Sequence, residues 1–204
     1  MGFYARYVLP RLIDLAMRNK DASRLRTECV PKARGEVLEI GIGSGLNLPF
    51  YSSQVRRVYG IDPSGELQRM AAKKASEVPF ELTLFQQSAE ERLPLADSSI
   101  DTIVMTWSLC SIPNPAAALQ QMRLVLKPDG RLLFVEHGRS PDANVVAWQD
   151  RITPFWKRIS GGCHLNRKVD DLIRAAGFCI TEQGNFYLPG PRPMTYIYQG
   201  VACI

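Results

Sequence analysis

With 204 residues, 46% of them hydrophobic, the chain can bury one sizeable core and hardly two, which sets a single globular domain as the expectation. Five cysteines, an odd number at irregular spacing, supply neither a disulfide framework nor paired Cys-x-x-Cys metal ligands; a reducing, cytoplasmic setting fits, and no metal is expected. The net charge of +5 belongs wholly to residues 1–34, which hold eight Lys/Arg and three acids, so the balanced remainder lacks the basic stripe of a nucleic-acid-binding surface.

That N-terminal segment, residues 1–34, carries Tyr4, Val8, Leu12 and Leu15 at helical spacing, with Ile13 and Met17 one position round. Two readings of such a basic amphipathic helix stand: a lid over a ligand cleft, or a peripheral contact with an anionic membrane. Pro10 and Arg11 break the apolar run that a secretory signal needs. The long uncharged run 102–122 contains Pro113, Asn114, Pro115 and two glutamines, which argues against a membrane span.

From residue 35 to 204 strand and helix patterns alternate. Strands are expected over residues 36–40, 57–61, 80–85, 101–106 and 131–136. Pro63 and Ser64 open a helix whose apolar face is Leu67, Met70, Ala71 and Ala75. A second helix over 115–127 places Leu119, Met122 and Leu126 on one side and stops at Pro128-Asp129-Gly130. Helices over 143–159 and 167–176 follow, the latter with Asn166 placed as a possible N-cap. The last two strand patterns, 178–182 and 195–202, are joined without room for an ordinary helix. The pattern predicts an α/β, doubly wound Rossmann-like sheet of seven strands, mostly parallel with an antiparallel last strand.

The first strand runs into Gly41-x-Gly43-x-Gly45, with helix room after it and Asp62 about 20 residues on, at the end of the next strand. Alternate glycines permit positive φ and close approach of a ligand to main-chain N–H groups. Glu39 stands two residues before the first glycine, where it would repel a dinucleotide's pyrophosphate. S-adenosylmethionine, which carries an ammonium and a sulfonium instead, suits that carboxylate. A NAD-dependent oxidoreductase is the alternative from a different class.

Glu39-Ile-Gly-Ile-Gly-Ser-Gly, Gly60-Ile-Asp-Pro-Ser64, Ser88-Ala-Glu90 and Leu126-Lys-Pro-Asp-Gly130 together resemble the successive motifs of class I S-adenosylmethionine-dependent methyltransferases. The resemblance implies that Gly41, Gly43 and Gly45 pack against the methionine and ribose portions and that Asp62 binds the ribose hydroxyls. It also implies that Ala89 lies along the adenine between Ser88 and Glu90; Pro63 and Thr106 complete the candidate cofactor set. Ser88 stands where many members carry Asp.

Methyl transfer from a sulfonium needs no acid for its leaving group, so the acceptor decides whether a base is required. A thiol of pKa about 8.5 is partly ionised near neutrality, whereas an amine or hydroxyl would call on His137 or Glu136. The fourth strand ends in Thr106-Trp-Ser-Leu-Cys-Ser111, not the Asp/Asn-Pro-Pro-aromatic element of many base methyltransferases. Nucleic acid is therefore disfavoured, and Trp107 offers an apolar wall for a small acceptor.

Leu109-Cys-Ser111, Glu136-His137, Trp148-Gln149, Pro154, Trp156 and Gly162-Cys-His-Leu-Asn-Arg167 further resemble the methyltransferase-like seven proteins, which are alkyl-thiol S-methyltransferases. That resemblance implies an acceptor pocket of Trp107, Cys110, Trp148, Cys163 and Asn166. Cys110 and Cys163 also read as plain packing residues, and the Cys163-His164 spacing is too tight for a common metal site. The expectation is a methyltransferase for a small, hydrophobic acceptor, thiol favoured, with a phosphatidylethanolamine-type N-methyltransferase as the alternative.

Overall fold

A computed structural model describes residues 8–204; Tyr4, at the front of the expected N-terminal helix, lies outside the described residues. The strands are β1 (Gly35–Ile40), β2 (Val55–Ile61), β3 (Glu81–Phe85), β4 (Ile100–Thr106), β5 (Leu126–His137), β6 (Cys179–Tyr187) and β7 (Tyr196–Cys203). They form one sheet in the order β3-β2-β1-β4-β5-β7-β6. The first five are mutually parallel, and β7 runs antiparallel to both neighbours, as the helix-free end of the sequence requires.

Side-chain alternation on the strands builds two apolar layers. Leu38, Ile40, Ile103, Met105, Leu132 and Phe134 face one side of the sheet. Their neighbours Val37, Val104, Leu133 and Val135 face the other. Both faces are covered by the helices α1 (Leu9–Ala16), α2 (Lys20–Cys29), α3 (Gly65–Ala72), α4 (Pro115–Val125), α5 (Ala143–Ile159), α6 (Val169–Ala175) and α7 (Arg192–Thr195). Local caps set several helix starts. Asn19, Ser64 and Asn114 accept N–H bonds from Ala22, Leu67 and Ala117 at 2.8, 3.4 and 3.2 Å.

Several boundaries differ from the sequence reading: β6 runs on to Tyr187, past the expected 182, α3 stops at Ala72, short of Ala75, and three others differ for a local reason. The glycine turn leads only into a 3₁₀ turn, Leu48–Phe50, and not into the helix for which there was room. Helix α4 ends at Val125, and β5 begins at Leu126 because Pro128 disfavours helical backbone just before it. Helix α6 is capped at Lys168, not Asn166, whose side chain instead donates to Asp150 Oδ1 at 2.7 Å.

The chain winds outward from β1 through β2 to β3, then crosses back to β4 and winds the other way. This reversal between adjacent β1 and β4 opens a crevice at their C-terminal ends. Glu39, the glycine turn, Thr106 and Trp107 all arrive there.

Candidate active site

A cavity of about 560 Å³ occupies that crevice. The turn at its floor has Gly41, Gly43 and Gly45 at φ of +68, +55 and +72°, the left-handed backbone that favours glycine. Their surroundings separate their roles. A Cβ on Gly41 would stand 2.6 Å from Ser108 Cβ, and one on Gly45 2.6 Å from Leu48 Cδ1, so these two serve close packing. A Cβ on Gly43 would meet nothing nearer than 3.9 Å, and Gly43 lines the cavity. Lys74 Nζ donates to the carbonyls of Ser44 and Gly45 at 2.8 and 3.1 Å and clamps the turn from outside.

Glu39 is 2% exposed and lies in the cavity wall. Its oxygens accept bonds from Asn47 Nδ2 at 3.0 Å and the Tyr51 hydroxyl at 2.7 Å. Asn47 also donates to Thr106 Oγ1 at 2.9 Å and accepts from Arg26 Nε at 3.0 Å. Burial pushes the Glu39 carboxyl up to about 7, against those two hydrogen bonds and the Arg26 charge. A cation entering the cavity would relieve that penalty by pairing with the ionised form. Across the turn, Asp62 accepts from Gly43 N at 3.0 Å and Ser64 N at 2.8 Å. A carboxylate has about four lone-pair sites, so capacity remains for a ligand hydroxyl.

The far wall comes from three segments: the loop after β4, the last residue of β5, and the C-terminal end of α5 with the loop that follows it. Glu136 is fully buried and accepts backbone N–H bonds from Ser108, Leu109 and Cys110 at 2.8, 2.9 and 3.1 Å. It is thereby spent on shaping the 107–111 loop, which removes it as a candidate base. Trp107, at φ +51° in that loop, is held in a conformation rare for a bulky residue, with the Arg26 guanidinium 5.2 Å from its ring centroid. His137, one residue beyond Glu136, lines the cavity with its Nδ1 3.8 Å from Cys163 Sγ.

Comparison with known proteins gives this geometry a family. A methyltransferase domain model matches residues 38–134. A phosphatidylethanolamine N-methyltransferase of Cereibacter sphaeroides is 37% identical over 166 residues, 80% of each chain. The chain belongs to the class I S-adenosylmethionine-dependent methyltransferases. A thiol S-methyltransferase of Rattus norvegicus is 36% identical over 146 residues, 70% of this chain, and the match spans 59% of the relative's length. A solved methyltransferase from Methanosarcina mazei covers 82% of this chain and 91% of its own, with TM-score 0.66 at 24% identity, a likeness of fold alone. Membership of that family makes S-adenosylmethionine the cofactor of this chain, in place of the NAD of the alternative reading.

Of the methyltransferase's expected cofactor residues, Glu39, Gly41, Gly43, Asp62, Pro63, Ser88, Ala89 and Thr106 line the cavity. Gly45 and Glu90 do not: Gly45 is consumed by packing, and Glu90 turns away to accept from Asn114 N at 2.6 Å and from Ser88 Oγ at 2.8 Å. Of the acceptor set, Trp107, Cys110 and Cys163 line it. Trp148 does not; it is 57% exposed on the outer face of α5, and Trp156 from the same helix enters the wall instead. Asn166 is likewise outside the cavity, tied to Asp150.

Arg26, Asn47 and Tyr51 are site residues that sequence reasoning missed. Asn47 and Tyr51 lie 8 and 12 positions beyond Glu39, so a search for donors near a carboxylate that must be buried could have found them. Arg26 had no such signal, because only the tertiary fold turns it inward from a basic helix.

Proposed function

We propose that this methyltransferase transfers the methyl group of S-adenosylmethionine to the sulfur of a small, apolar thiol. The cofactor supplies an electrophilic methyl on a cationic sulfur. Glu39 would face its charge, Asp62 would hold the ribose hydroxyls, and Gly43 would let it lie against the turn. Ser88 and Ala89 would flank the adenine. The observation that carries the acceptor reading is the state of Glu136: this candidate base, next to His137 in the chain, is tied to three backbone amides and lies behind the cavity wall. A thiol, already a few per cent ionised near neutrality, needs base assistance least. The apolar surfaces of Trp107, Ile112, Trp156 and Ile159 in the same wall favour an apolar substituent on that thiol, and the resemblance to the rat thiol S-methyltransferase supports it.

The N-terminal segment contributes to the same reading. Helix α1 lines the cavity through Leu9, Leu12 and Ile13, joined by Met17 at its C-cap, and its Asp14 accepts a hydrogen bond from Ser44 in the glycine turn. We assign it the role of a lid that excludes water over the bound cofactor.

A second reading, a phospholipid amine acceptor, draws on the Cereibacter sphaeroides relative and on exposed apolar residues at the cavity rim. Among the described residues no helix is long and apolar enough to cross a membrane. A cytoplasmic protein that touches a bilayer peripherally fits both readings. One experiment separates them: purified protein with methyl-labelled S-adenosylmethionine is offered alkyl thiols, phenols, amines and phosphatidylethanolamine vesicles, with products read by mass spectrometry. Thioethers are expected as the main products. Methylated phosphatidylethanolamine without thioether would overturn the thiol assignment.

A further inference from the structure

Cys110, His137 and Cys163 are far apart in sequence, yet their potential ligand atoms all lie within 4.8 Å of one another. In a tetrahedral zinc site with Zn–S about 2.3 Å and Zn–N about 2.0 Å, neighbouring ligand atoms are about 3.5–3.8 Å apart. The Cys163 Sγ to His137 Nδ1 distance is already 3.8 Å. The remaining edges need to shorten by about an ångström at most, within reach of small side-chain rotations.

The trio is held by structure on every side. Cys110 and Cys163 are 2% and 7% exposed and pack with Leu165, Ile152 and Trp156. Glu136 anchors the Cys110 amide, and His164 N donates to Cys110 O at 2.8 Å, which ties the two cysteine-bearing loops together. All three side chains face the cavity that also contains Glu39 and the glycine turn. Two thiolates and one imidazole on a site with an open fourth position match the donor set of catalytic zinc sites of the Cys₂His type. Two thiolates would balance a dication, and the Arg167 guanidinium, close enough to interact with Glu136 and both sulfurs, offsets Glu136. No uncompensated buried charge results.

We propose that Cys110, His137 and Cys163 bind a zinc-type divalent cation whose fourth position opens into the cavity and takes the sulfur of the acceptor thiol. This deepens the thiol reading and rests on it for the identity of the fourth ligand, though not for the cation itself. The acceptor's S–H proton passes to solvent as its sulfur binds. The sulfur lone pair then forms the new S–CH₃ bond while the sulfonium's S–CH₃ bond breaks, its electron pair remaining on the departing neutral thioether. The cation lowers the pKa of the bound thiol and fixes its sulfur in the cavity.

The test uses the full chain, stripped with a chelator under reducing conditions and titrated with Co²⁺ alone, then Zn²⁺. One equivalent of cobalt should give tetrahedral d–d bands and a thiolate-to-cobalt charge-transfer band, both bleached by zinc. Cys110→Ser, Cys163→Ser and His137→Ala should each weaken zinc binding by about a hundredfold or more, while retained S-adenosylhomocysteine binding shows that the variant is folded. Should a variant lose that binding, the intact chain still decides: one equivalent of zinc should protect Cys110 and Cys163 from alkylation, read by peptide mass spectrometry. Absence of the charge-transfer band, or cobalt binding indifferent to all three substitutions, would overturn the site. Zinc binding without thiol methylation would uphold the site and sink the acceptor reading. Thiol methylation at full rate by chain that binds no cobalt would do the reverse.

Discussion

The Tyr51 hydroxyl donates to Glu39 Oε2 at 2.7 Å, fixing a carboxylate that is almost wholly buried yet belongs to the cavity wall. Burial raises this carboxyl from an ordinary 4.5 to about 7. The folded chain therefore holds the proton more tightly than the unfolded one. The stability so contributed is complete below pH 4.5 and is lost as pH rises through about 7. Cofactor binding runs the opposite way, because the ligand's ammonium needs the ionised carboxylate. Affinity for S-adenosylhomocysteine should rise with pH, at up to about tenfold per unit below the raised pKa, and level off above it. Calorimetric titration across that range checks the slope, and Glu39→Gln should flatten it. An affinity of the wild-type chain that ignores pH would remove Glu39 from the cofactor site.

Glu136 bears on architecture rather than proton transfer. Its three backbone N–H bonds hold the loop that carries Trp107 and Cys110. Replacement by Gln keeps the shape but turns a donor toward other donors and removes a charge-assisted acceptor. Glu136→Gln should cost about 2–3 kcal/mol of stability, seen as a lower denaturant midpoint at unchanged m. A cost below about 0.5 kcal/mol would show that the loop holds its own conformation.

The glycines of the turn separate folding from binding. At Gly43 an added methyl points into open space within the cavity, so Gly43→Ala should cost about 1–2 kcal/mol for its left-handed backbone while lowering S-adenosylhomocysteine affinity tenfold or more. At Gly41 the methyl would be driven into Ser108, which Glu136 holds in place. Gly41→Ala should therefore destabilise the fold more than Gly43→Ala does, by about 1–3 kcal/mol. Thermal unfolding with and without ligand measures both effects, and equal stability losses with equal affinities would contradict the assignment.

These contrasts mark what could be read from residues alone. Glu39, the glycine turn and Asp62 were legible because each is a short-range pattern whose chemistry is stated by neighbours a few positions away. The sheet was legible for the same reason, through alternation on strands such as 101–106. The wall opposite was not. Cys110, His137 and Cys163 converge from three loops and strand ends, so no spacing announces them. Trp148 and Trp156 lie eight positions apart on one helix, nearly a quarter turn from the same face. Only the packing of α5 shows that Trp156 points inward and Trp148 outward. Asn166 sits where an N-cap could be, but the helix starts two residues later.

Trp148 has company on that outer face. Trp148, Phe155 and Ile159, all more than half exposed, follow one another by seven and four positions along α5 and share a stripe. On α1, Leu12 and Leu15 are also exposed, and Leu12 and Ile159 both reach the cavity lining, so the two stripes meet at its mouth. Exposed Arg11, Arg151 and Arg158 neighbour them along the two helices, while Arg18 is paired with Asp14. Apolar side chains flanked by cations at the entrance of a cavity match an interfacial surface, which would deliver a lipophilic acceptor directly from a bilayer. The protein should cosediment with phosphatidylserine-containing vesicles at low salt and be partly released as salt rises. Leu15→Asp combined with Phe155→Asp should weaken that binding tenfold or more, while turnover of a water-soluble thiol stays at the wild-type rate, since neither side chain lines the cavity. Failure to sediment with anionic vesicles at low salt would leave the rim without a membrane role and make α1 a lid only.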